Sequence, residues 1–315
     1  MIENPKEDFS LLIIGCGAIA GGYDQGDIKG PNILTHAKAF KAHAGFNLAG
    51  CLDTDLKIAQ NFADIWGVNK AYESFEQAMR DRNFDIVSIC TPAPSHELYL
   101  RKLQNYNVRL IFCEKPIADN LKAAREIAAF YPDNMAVNYI RRFDPEIRQL
   151  AKDIQDNKYG SFISGKALYN KGLYNNGSHM TDLIHMLLGP VVVKAASGII
   201  YDFWPDDPTI SAKLETANSG QIDLIGSDMR SGMVFDLELI FDQAIISLTD
   251  FSQTIAIKPQ NGPKKITKTM QNREMFNAVS NIYDHLTQGA ALQSKARNGL
   301  LALETCDDIR RMAGL

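Results

Sequence analysis

"LLIIGCGAIAGGY", residues 11–23, is the stretch that decides the fold. Leu11 to Ile14 form an aliphatic run with no polar break, as a strand covered on both faces requires. Gly15-Cys16-Gly17-Ala18-Ile19-Ala20 follows at once and reads G-x-G-x-x-A. Glycine at 15 permits a tight turn. Glycine at 17 lets a pyrophosphate approach the backbone, and a small residue at 20 lets the next helix pack close to the strand. The start of that helix then turns its N–H groups toward the phosphates. An ordinary strand–turn–helix also satisfies the pattern, so the neighbouring chain has to decide.

A second apolar run, Phe46 to Leu52, ends in Asp53, whose carboxylate suits the adenosine ribose hydroxyls. Gly17 and Asp53 lie farther apart than the usual ~20 residues. The excess is one insertion, Tyr23 to Leu34, rich in Gly, Asp and Pro. It reads either as a loop near the cofactor or as a plain surface excursion, with the main body of the first helix at Thr35 to His43. Helices are expected over Ile58–Trp66, Phe75–Arg82, about Ser95–Tyr106 with Ser95 as cap, and Asn120–Phe130. Strands are expected at Phe84–Cys90, Val108–Cys113 and Met135–Tyr139. This alternation predicts a doubly wound parallel sheet, with ligands outside the carboxyl ends of its strands. Asp53, Thr91, Lys115 and Tyr139 stand at such ends.

After Pro145 the pattern changes. A helix over Glu146–Asp156 and a strand from Gly160 to about Asn170 are expected. Residues 233–241 alternate with period two, as an antiparallel strand with one covered face does. Two helical segments close the chain, at about 271–288 and 293–312. The expected class is therefore α/β: a Rossmann domain over 1–140, then an α+β domain over 141–315 with an open, largely antiparallel sheet. The last helix is free to pack back on the first domain.

Composition excludes several classes. The 315 residues carry a formal charge of −4, which gives no electrostatic reason to bind nucleic acid. Lys264, Lys265 and Lys268 follow Asn261-Gly262-Pro263 and read as a solvated hairpin tip. Cys16, Cys51, Cys90, Cys113 and Cys306 form no C-x-x-C pair and read as buried thiols of a reducing compartment. With no run long enough for a signal or membrane segment, a cytoplasmic protein is expected.

"NKGLYNNGSHMTDLIHMLLGP", residues 170–190, carries the second set of polar residues. Ser178 is the expected N-cap and Gly189-Pro190 the stop of a helix with Met180, Leu183, Ile184 and Leu187 as its core stripe. His179 and Asp182 fall on neighbouring positions of that helix, so Asp182 could orient the imidazole. His185 lies about 120° away from His179, so His-x-x-Asp-x-x-His does not converge on a metal. In the first turn, the helix dipole favours neutral His179. His36, His43, His96 and His285 receive structural readings, with a share in shaping the cofactor site also open for His96. Tyr139, Arg141, Arg142, Lys171 and Tyr174 are candidates for substrate hydroxyls or an anionic group.

"GCGAIAGGY", "CTPAPSH", "CEKPIA" and "VNYIRRFDP", in this order, resemble the Gfo/Idh/MocA oxidoreductases, and "GSHMTDLIHMLLG" resembles the active-site helix of their second domain. The resemblance implies NAD(H) or NADP(H) and reversible oxidation of a sugar, nucleotide-sugar or polyol hydroxyl. It implies Lys115 as the catalytic lysine and His179 as the acid/base. Cofactor contacts fall to Gly15, Gly17, Ala18, Ile19, Asp53, Thr91, Pro92, His96, Glu114 and Lys115. Substrate contacts fall to Asn175, Tyr139, Arg141, Lys171, Tyr174 and Asp182. Asn175 stands where many members carry Asp, and it cannot take a proton. Asp53 and Asp55, with no Arg beside them, favour NAD over NADP. The resemblance further implies a homodimer or homotetramer through the second sheet. Two rivals remain: a catalytically silent NAD-binding sensor, and an enzyme that recycles held NAD during glycoside cleavage.

Overall fold

The computed structural model describes residues 8–269 and 272–315, which divide into two compact units. The first comprises residues up to Phe143 together with Asn272–Gly299, and the second comprises Asp144–Gln271 and Leu300–Leu315. Residues 272–299, placed C-terminal to 140, belong to the first of these units.

In the first unit, β1 (Phe9–Ile14), β2 (Phe46–Leu52), β3 (Ala71–Tyr72), β4 (Ile86–Ile89), β5 (Leu110–Cys113) and β6 (Met135–Val137) form one sheet in the order β3-β2-β1-β4-β5-β6. Every pairing is parallel. The order reverses between β1 and β4, the switch point at which such sheets open a crevice. All six residues of β1 are buried, as the unbroken aliphatic run requires. Helices α1 (His36–Ala42), α2 (Leu56–Trp66), α3 (Phe75–Asp81), α4 (His96–Leu103) and α5 (Leu121–Phe130) connect the strands. Ser95 does not cap α4. It is the last residue of a 3-10 turn, Ala93–Ser95, with αR backbone, and its hydroxyl donates to Pro92 O.

The insertion splits the first helix without destroying its ladder. Residues 18–21 make the opening turn, and a 3-10 segment, Gly22–Asp27, leads the chain away. The chain returns so that His36 N donates to Ile19 O and Ala37 N to Ala20 O. Thus α1 resumes on carbonyls left by residues 19 and 20. Buried Asp24 pins the base of the excursion, its Oδ2 accepting from Leu34 N (2.9 Å), Thr35 N (2.9 Å) and Thr35 Oγ1 (2.7 Å). Lys38 Nζ lies 3.6 Å from the other oxygen and neutralises the buried charge.

The second unit opens with α6 (Pro145–Gln155), capped by Asp144, whose Oδ1 accepts from Glu146 N and Ile147 N. Then come β7 (Phe162–Tyr169), α7 (Ser178–Leu188), β8 (Val191–Ile200), β9 (Thr209–Thr216), β10 (Gln221–Gly226), β11 (Phe235–Phe241), β12 (Ala244–Thr249), β13 (Thr254–Pro259) and β14 (Lys265–Lys268). The eight strands order as β14-β13-β12-β11-β7-β10-β9-β8, with only β7 and β10 parallel. Burial alternates along β11, with Phe235, Leu237, Leu239 and Phe241 inward. The three lysines at 264, 265 and 268 fall on and beside the edge strand β14, where charge discourages pairing with another chain. Helix α8 (Glu274–Gln288) belongs to the first unit, and α9 (Ala296–Met312) begins in the first and continues in the second. All five cysteines are buried thiols. Among the described residues, no helix is long and apolar enough to cross a membrane.

Candidate active site

In the first unit the expected cofactor residues gather at the carboxyl ends of β1, β2, β4 and β5. Gly15 has φ +87°, a conformation that L side chains rarely adopt, and a Cβ on it would come within 2.8 Å of Thr91 N and Cγ2. The residue is glycine for two reasons at once. Gly17 is exposed, and nothing lies within 4 Å of where its Cβ would stand. That open approach is what a pyrophosphate needs. Ala18 is exposed beside it, and Ile19 is half-buried.

Asp53 ties the turn down. Its Oδ2 accepts from Cys16 N at 3.0 Å and its Oδ1 from Asp55 N at 3.1 Å. A carboxylate has about four lone-pair positions, so acceptor capacity remains for ribose hydroxyls. Thr91 is half-buried, and its buried Oγ1 has no hydrogen-bond partner among the described residues. A buried hydroxyl without a partner is costly unless a ligand or water completes it. The open glycine, the carboxylate and this hydroxyl together fit a dinucleotide. Pro92 is exposed next to them.

Lys115 follows β5 between two residues held by buried histidines. On one side, Glu114 Oε1 meets His36 Nε2 at 2.8 Å and accepts from Asn138 Nδ2 at 2.6 Å. His36 is fully buried, and its Nδ1 meets Ser88 Oγ at 2.7 Å. Burial works against charge on this imidazole. Cys90 and the Glu114 carboxylate outweigh it and raise its pKa to about 10. For Glu114 burial pushes upward, but His36, Asn138 and Lys115 hold it below the usual carboxylate range. On the other side, His96 Nδ1 lies 2.7 Å from Pro116 O and Nε2 2.7 Å from Thr91 O, bracing the Thr91 loop to the lysine turn. Tyr139 is buried just past β6, and half-buried Arg141 and buried Arg142 lie on a 3-10 turn, Ile140–Phe143.

The second unit brings Tyr174, Asn175, His179 and Asp182 onto one continuous helical segment, with Lys171 in the bend just before it. Ser178 is not its N-cap. A π-helical turn, Leu173–Gly177, precedes α7, Ser178 has αR backbone, and its Oγ donates to Tyr174 O at 2.6 Å. The start of the segment is therefore near Leu173, where Asp207 accepts from Tyr174 N and Asn175 N, both at 2.8 Å. His179 lies beyond that first turn, so the dipole argument for its neutral form loses its basis.

Asn175 is fitted to this turn by its amide, since Nδ2 donates to Lys171 O at 3.1 Å. Lys171 holds φ +69°, and its N–H donates to Asp202 Oδ2. Its Nζ stands 4.8 Å from the centre of the half-exposed Phe203 ring. Burial pushes the Tyr174 phenol up to about 12, so it stays neutral as a hydrogen-bonding group. His179 is half-buried, Asp182 is buried, and His185 bonds Thr305 Oγ1 at 2.8 Å as a core histidine. Among the described residues, no three His, Cys, Asp or Glu are grouped to hold a metal.

Sequence reasoning passed over Asp202 and Asp207, which build the turn from a loop about 30 residues away. The only signal was the acidic stretch "YDFWPDDP" at 201–208. It also missed that His36, Glu114 and Asn138 join in one buried group.

A parallel sheet in this order, with an open glycine turn at its switch point, defines a dinucleotide-binding fold. Residues 9–137 match the model of the GFO_IDH_MocA oxidoreductase family, NAD-binding Rossmann fold. The chain is 25% identical over 304 residues to inositol 2-dehydrogenase of Rhizobium meliloti (strain 1021), spanning 86% of this chain and 91% of that one. An oxidoreductase from Agrobacterium radiobacter, solved with NAD+, L-tartaric acid and magnesium, superposes with a TM-score of 0.79 at 16% identity, covering 98% of this chain and 96% of its own. A 3-ketoreductase from Actinomadura kijaniata, solved with NADP and TDP-benzene, gives 0.79 at 15% identity over 98% of each chain. Residues 9–137 thus carry the NAD-binding Rossmann fold of the Gfo/Idh/MocA oxidoreductases, and the likeness to an inositol 2-dehydrogenase extends over most of the chain.

Proposed function

We propose that this protein is a dehydrogenase or reductase that interconverts a carbinol and a carbonyl on a sugar, nucleotide-linked sugar or polyol, with NAD(H) preferred over NADP(H). The observation that carries the reading is the open Gly17 turn on the same sheet edge as Lys115. The likeness to an inositol 2-dehydrogenase supports a polyhydroxy substrate.

Bound nicotinamide supplies the hydride acceptor or donor. Gly15 and Gly17 shape the pyrophosphate turn, and Ala18 and Ile19 follow it. Asp53 accepts from the ribose hydroxyls, and Thr91, Pro92 and His96 form the facing loop. The Asp53 and Asp55 carboxylates would repel a 2′-phosphate, which is the basis for NAD. Lys115 hydrogen-bonds the reacting oxygen and stabilises negative charge developing on it. His179 takes or returns the hydroxyl proton. Lys171, Tyr174 and Asn175, with Tyr139 and Arg141, bind the remaining hydroxyls, and Asp182, three residues after His179, orients its imidazole. The outward face of the second sheet, with exposed Ile225 and Ile245, suits association of copies into a dimer or tetramer. Calorimetric titration with NADH and NADPH, followed by turnover on a sugar and polyol panel, tests the reading. Tighter NADPH binding refutes the cofactor preference, and no turnover with any polyol refutes the substrate class.

A further inference from the structure

The loop at 201–208 lends Asp202 and Asp207 to the turn before α7, and it also carries three exposed aromatic residues, Tyr201 (63%), Phe203 (48%) and Trp204 (47%). A single exposed ring needs no explanation, but a cluster of them on a fixed backbone does. Asp202 accepts from Lys171 N at 2.8 Å and from Thr209 Oγ1 at 2.9 Å. Pro208 O accepts from Leu173 N at 3.1 Å, and Asp206 O from Arg310 Nη1 at 3.1 Å. The loop is thereby tied to the turn that carries Tyr174 and Asn175. At its tip the Phe203 and Trp204 rings meet edge to face, their centres 4.8 Å apart. Lys171 is the second observation. It holds φ +69°, which is unfavourable for an L-residue, and Asp202 maintains that conformation through the Lys171 N–H. A glycine at 171 would trace the same path without strain, so the lysine serves through its side chain. Its Nζ stands 4.8 Å from the centre of the Phe203 ring, and among the described residues it has no carboxylate partner.

We propose that Phe203, Trp204 and Lys171 form a specificity subsite for an uncharged six-membered polyhydroxy ring, a hexopyranose or a cyclitol. The C–H face of the ring lies on Trp204, and Lys171 Nζ donates to a ring hydroxyl. The inference rests on the reading of the protein as a dehydrogenase or reductase of polyhydroxy substrates, and it selects among them. Chemistry favours a ring: its axial C–H bonds make one apolar face, which suits the negative face of an aromatic side chain, whereas an open-chain polyol has no fixed face. A few polar groups beside aromatic walls are what a small-molecule site uses to fix orientation. Charge decides against a nucleotide-linked sugar. Asp202, Asp206 and Asp207 stand on the loop, and the cations beside it are Lys171 and Arg310, the latter with its guanidinium 5.8 Å from the centre of the Tyr174 ring. The carboxylates outnumber the cations, so a diphosphate would enter a field of its own sign, whereas an uncharged ring would not.

The chain has two tryptophans and Trp66 is buried, so the emission that acrylamide quenches reports Trp204. D-glucose, D-galactose, myo-inositol, sorbitol and UDP-glucose are each titrated into the intact protein with NAD+ present. At least one of the three uncharged rings should shield Trp204 saturably and bind more tightly than sorbitol and UDP-glucose. Trp204→Ala, followed by calorimetry, should weaken that ring at least ~10-fold, the effect of uncovering one aromatic contact, and Trp204→Phe should restore most of the loss. Lys171→Gly should also weaken the ring, yet unfold at the same or a higher urea concentration than the wild type, because the strain leaves with the side chain; a lower unfolding midpoint with unchanged ring affinity would make Lys171 structural and overturn the proposal. No saturable shielding by any of the three rings, or tighter binding of UDP-glucose, overturns it too. A molecular mass in light scattering that falls in Trp204→Ala would assign the rings to a second copy of the chain and likewise overturn it. For a ring that is turned over, Trp204→Ala should raise KM at least ~10-fold with kcat within ~3-fold of wild type, and an unchanged KM refutes the subsite alone. Shielding of Trp204 without turnover of any polyol refutes the underlying reading and leaves the subsite standing.

Discussion

Replacing Gly15 and Gly17 by alanine, one at a time, separates the two jobs of the glycine turn. At Gly15 the backbone holds φ +87°, and a Cβ meets the Thr91 backbone N at 2.8 Å. A left-handed conformation costs an L-residue ~1–2 kcal/mol. Forcing a carbon against backbone that cannot swing aside adds ~1–3 kcal/mol. Gly15→Ala should therefore lose roughly 2–5 kcal/mol, a large part of the ~5–15 kcal/mol that holds a typical domain. At Gly17 no atom lies within 4 Å of the new Cβ and φ is not positive. Gly17→Ala should leave stability within ~1 kcal/mol of wild type. It should still weaken NADH by roughly 10- to 100-fold, since each charge-assisted hydrogen bond denied to a phosphate is worth ~1.5–3 kcal/mol. Urea unfolding followed by circular dichroism gives the first quantity, and NADH fluorescence titration the second. Full stability in Gly15→Ala, or unchanged NADH affinity in Gly17→Ala, refutes the reasoning at that position.

Three further outcomes follow from the second unit and the buried pair. Asn175→Asp sets a carboxylate against Lys171 O and should cost about 1 kcal/mol or more in urea unfolding; equal or higher stability would mean that the amide bond is dispensable. Asp207→Ala removes the acceptor for Tyr174 N and Asn175 N and should cost ~0.5–2 kcal/mol, as loss of a helix cap does; an unchanged unfolding midpoint would dismiss that cap. His36 has a folded pKa raised to about 10 from an ordinary 6.5, so its contribution is full below 6.5 and shrinks as pH rises to about 10. Glu114, held low, contributes above its ordinary 4.5 and loses that contribution as pH falls through its lowered pKa. Thermal melts of wild type and His36→Gln should therefore differ most between these limits and converge toward pH 10, and a gap that widens with pH contradicts the sign.

Apart from the two-residue β3, which the sequence reading passed over, the first sheet was legible because its signals are local. A glycine needed for positive φ, an unbroken aliphatic run and an acidic strand end each speak within a few residues. The alternation along β11 was legible for the same reason. The start of α7 was misread because Ser178 has the chemistry of a cap, whereas the cap is Asp207, distant in sequence and brought there by the β8–β9 loop. Its π turn leaves no mark in a pattern of apolar spacing. The split first helix was half-legible: the insertion showed in its composition, but the resumption of the ladder at His36 and Ala37 depends on the return path set by Asp24. The His36–Glu114 pair was invisible, because α1 and the end of β5 meet only once the parallel sheet is assembled.

The central claim is that Lys115 serves hydride transfer between a nicotinamide and a polyhydroxy substrate. Its most direct test is deuterium transfer from NADH labelled on the nicotinamide ring to a panel of keto-sugars and keto-polyols, read by mass spectrometry of the product alcohol. The account predicts one deuterium at the new carbinol carbon of at least one panel member. It predicts that Lys115→Ala binds NADH nearly as the wild type does and transfers the label at least ~100-fold more slowly. Label transfer at the wild-type rate by Lys115→Ala, or NADH bound with no transfer to any member, would contradict it.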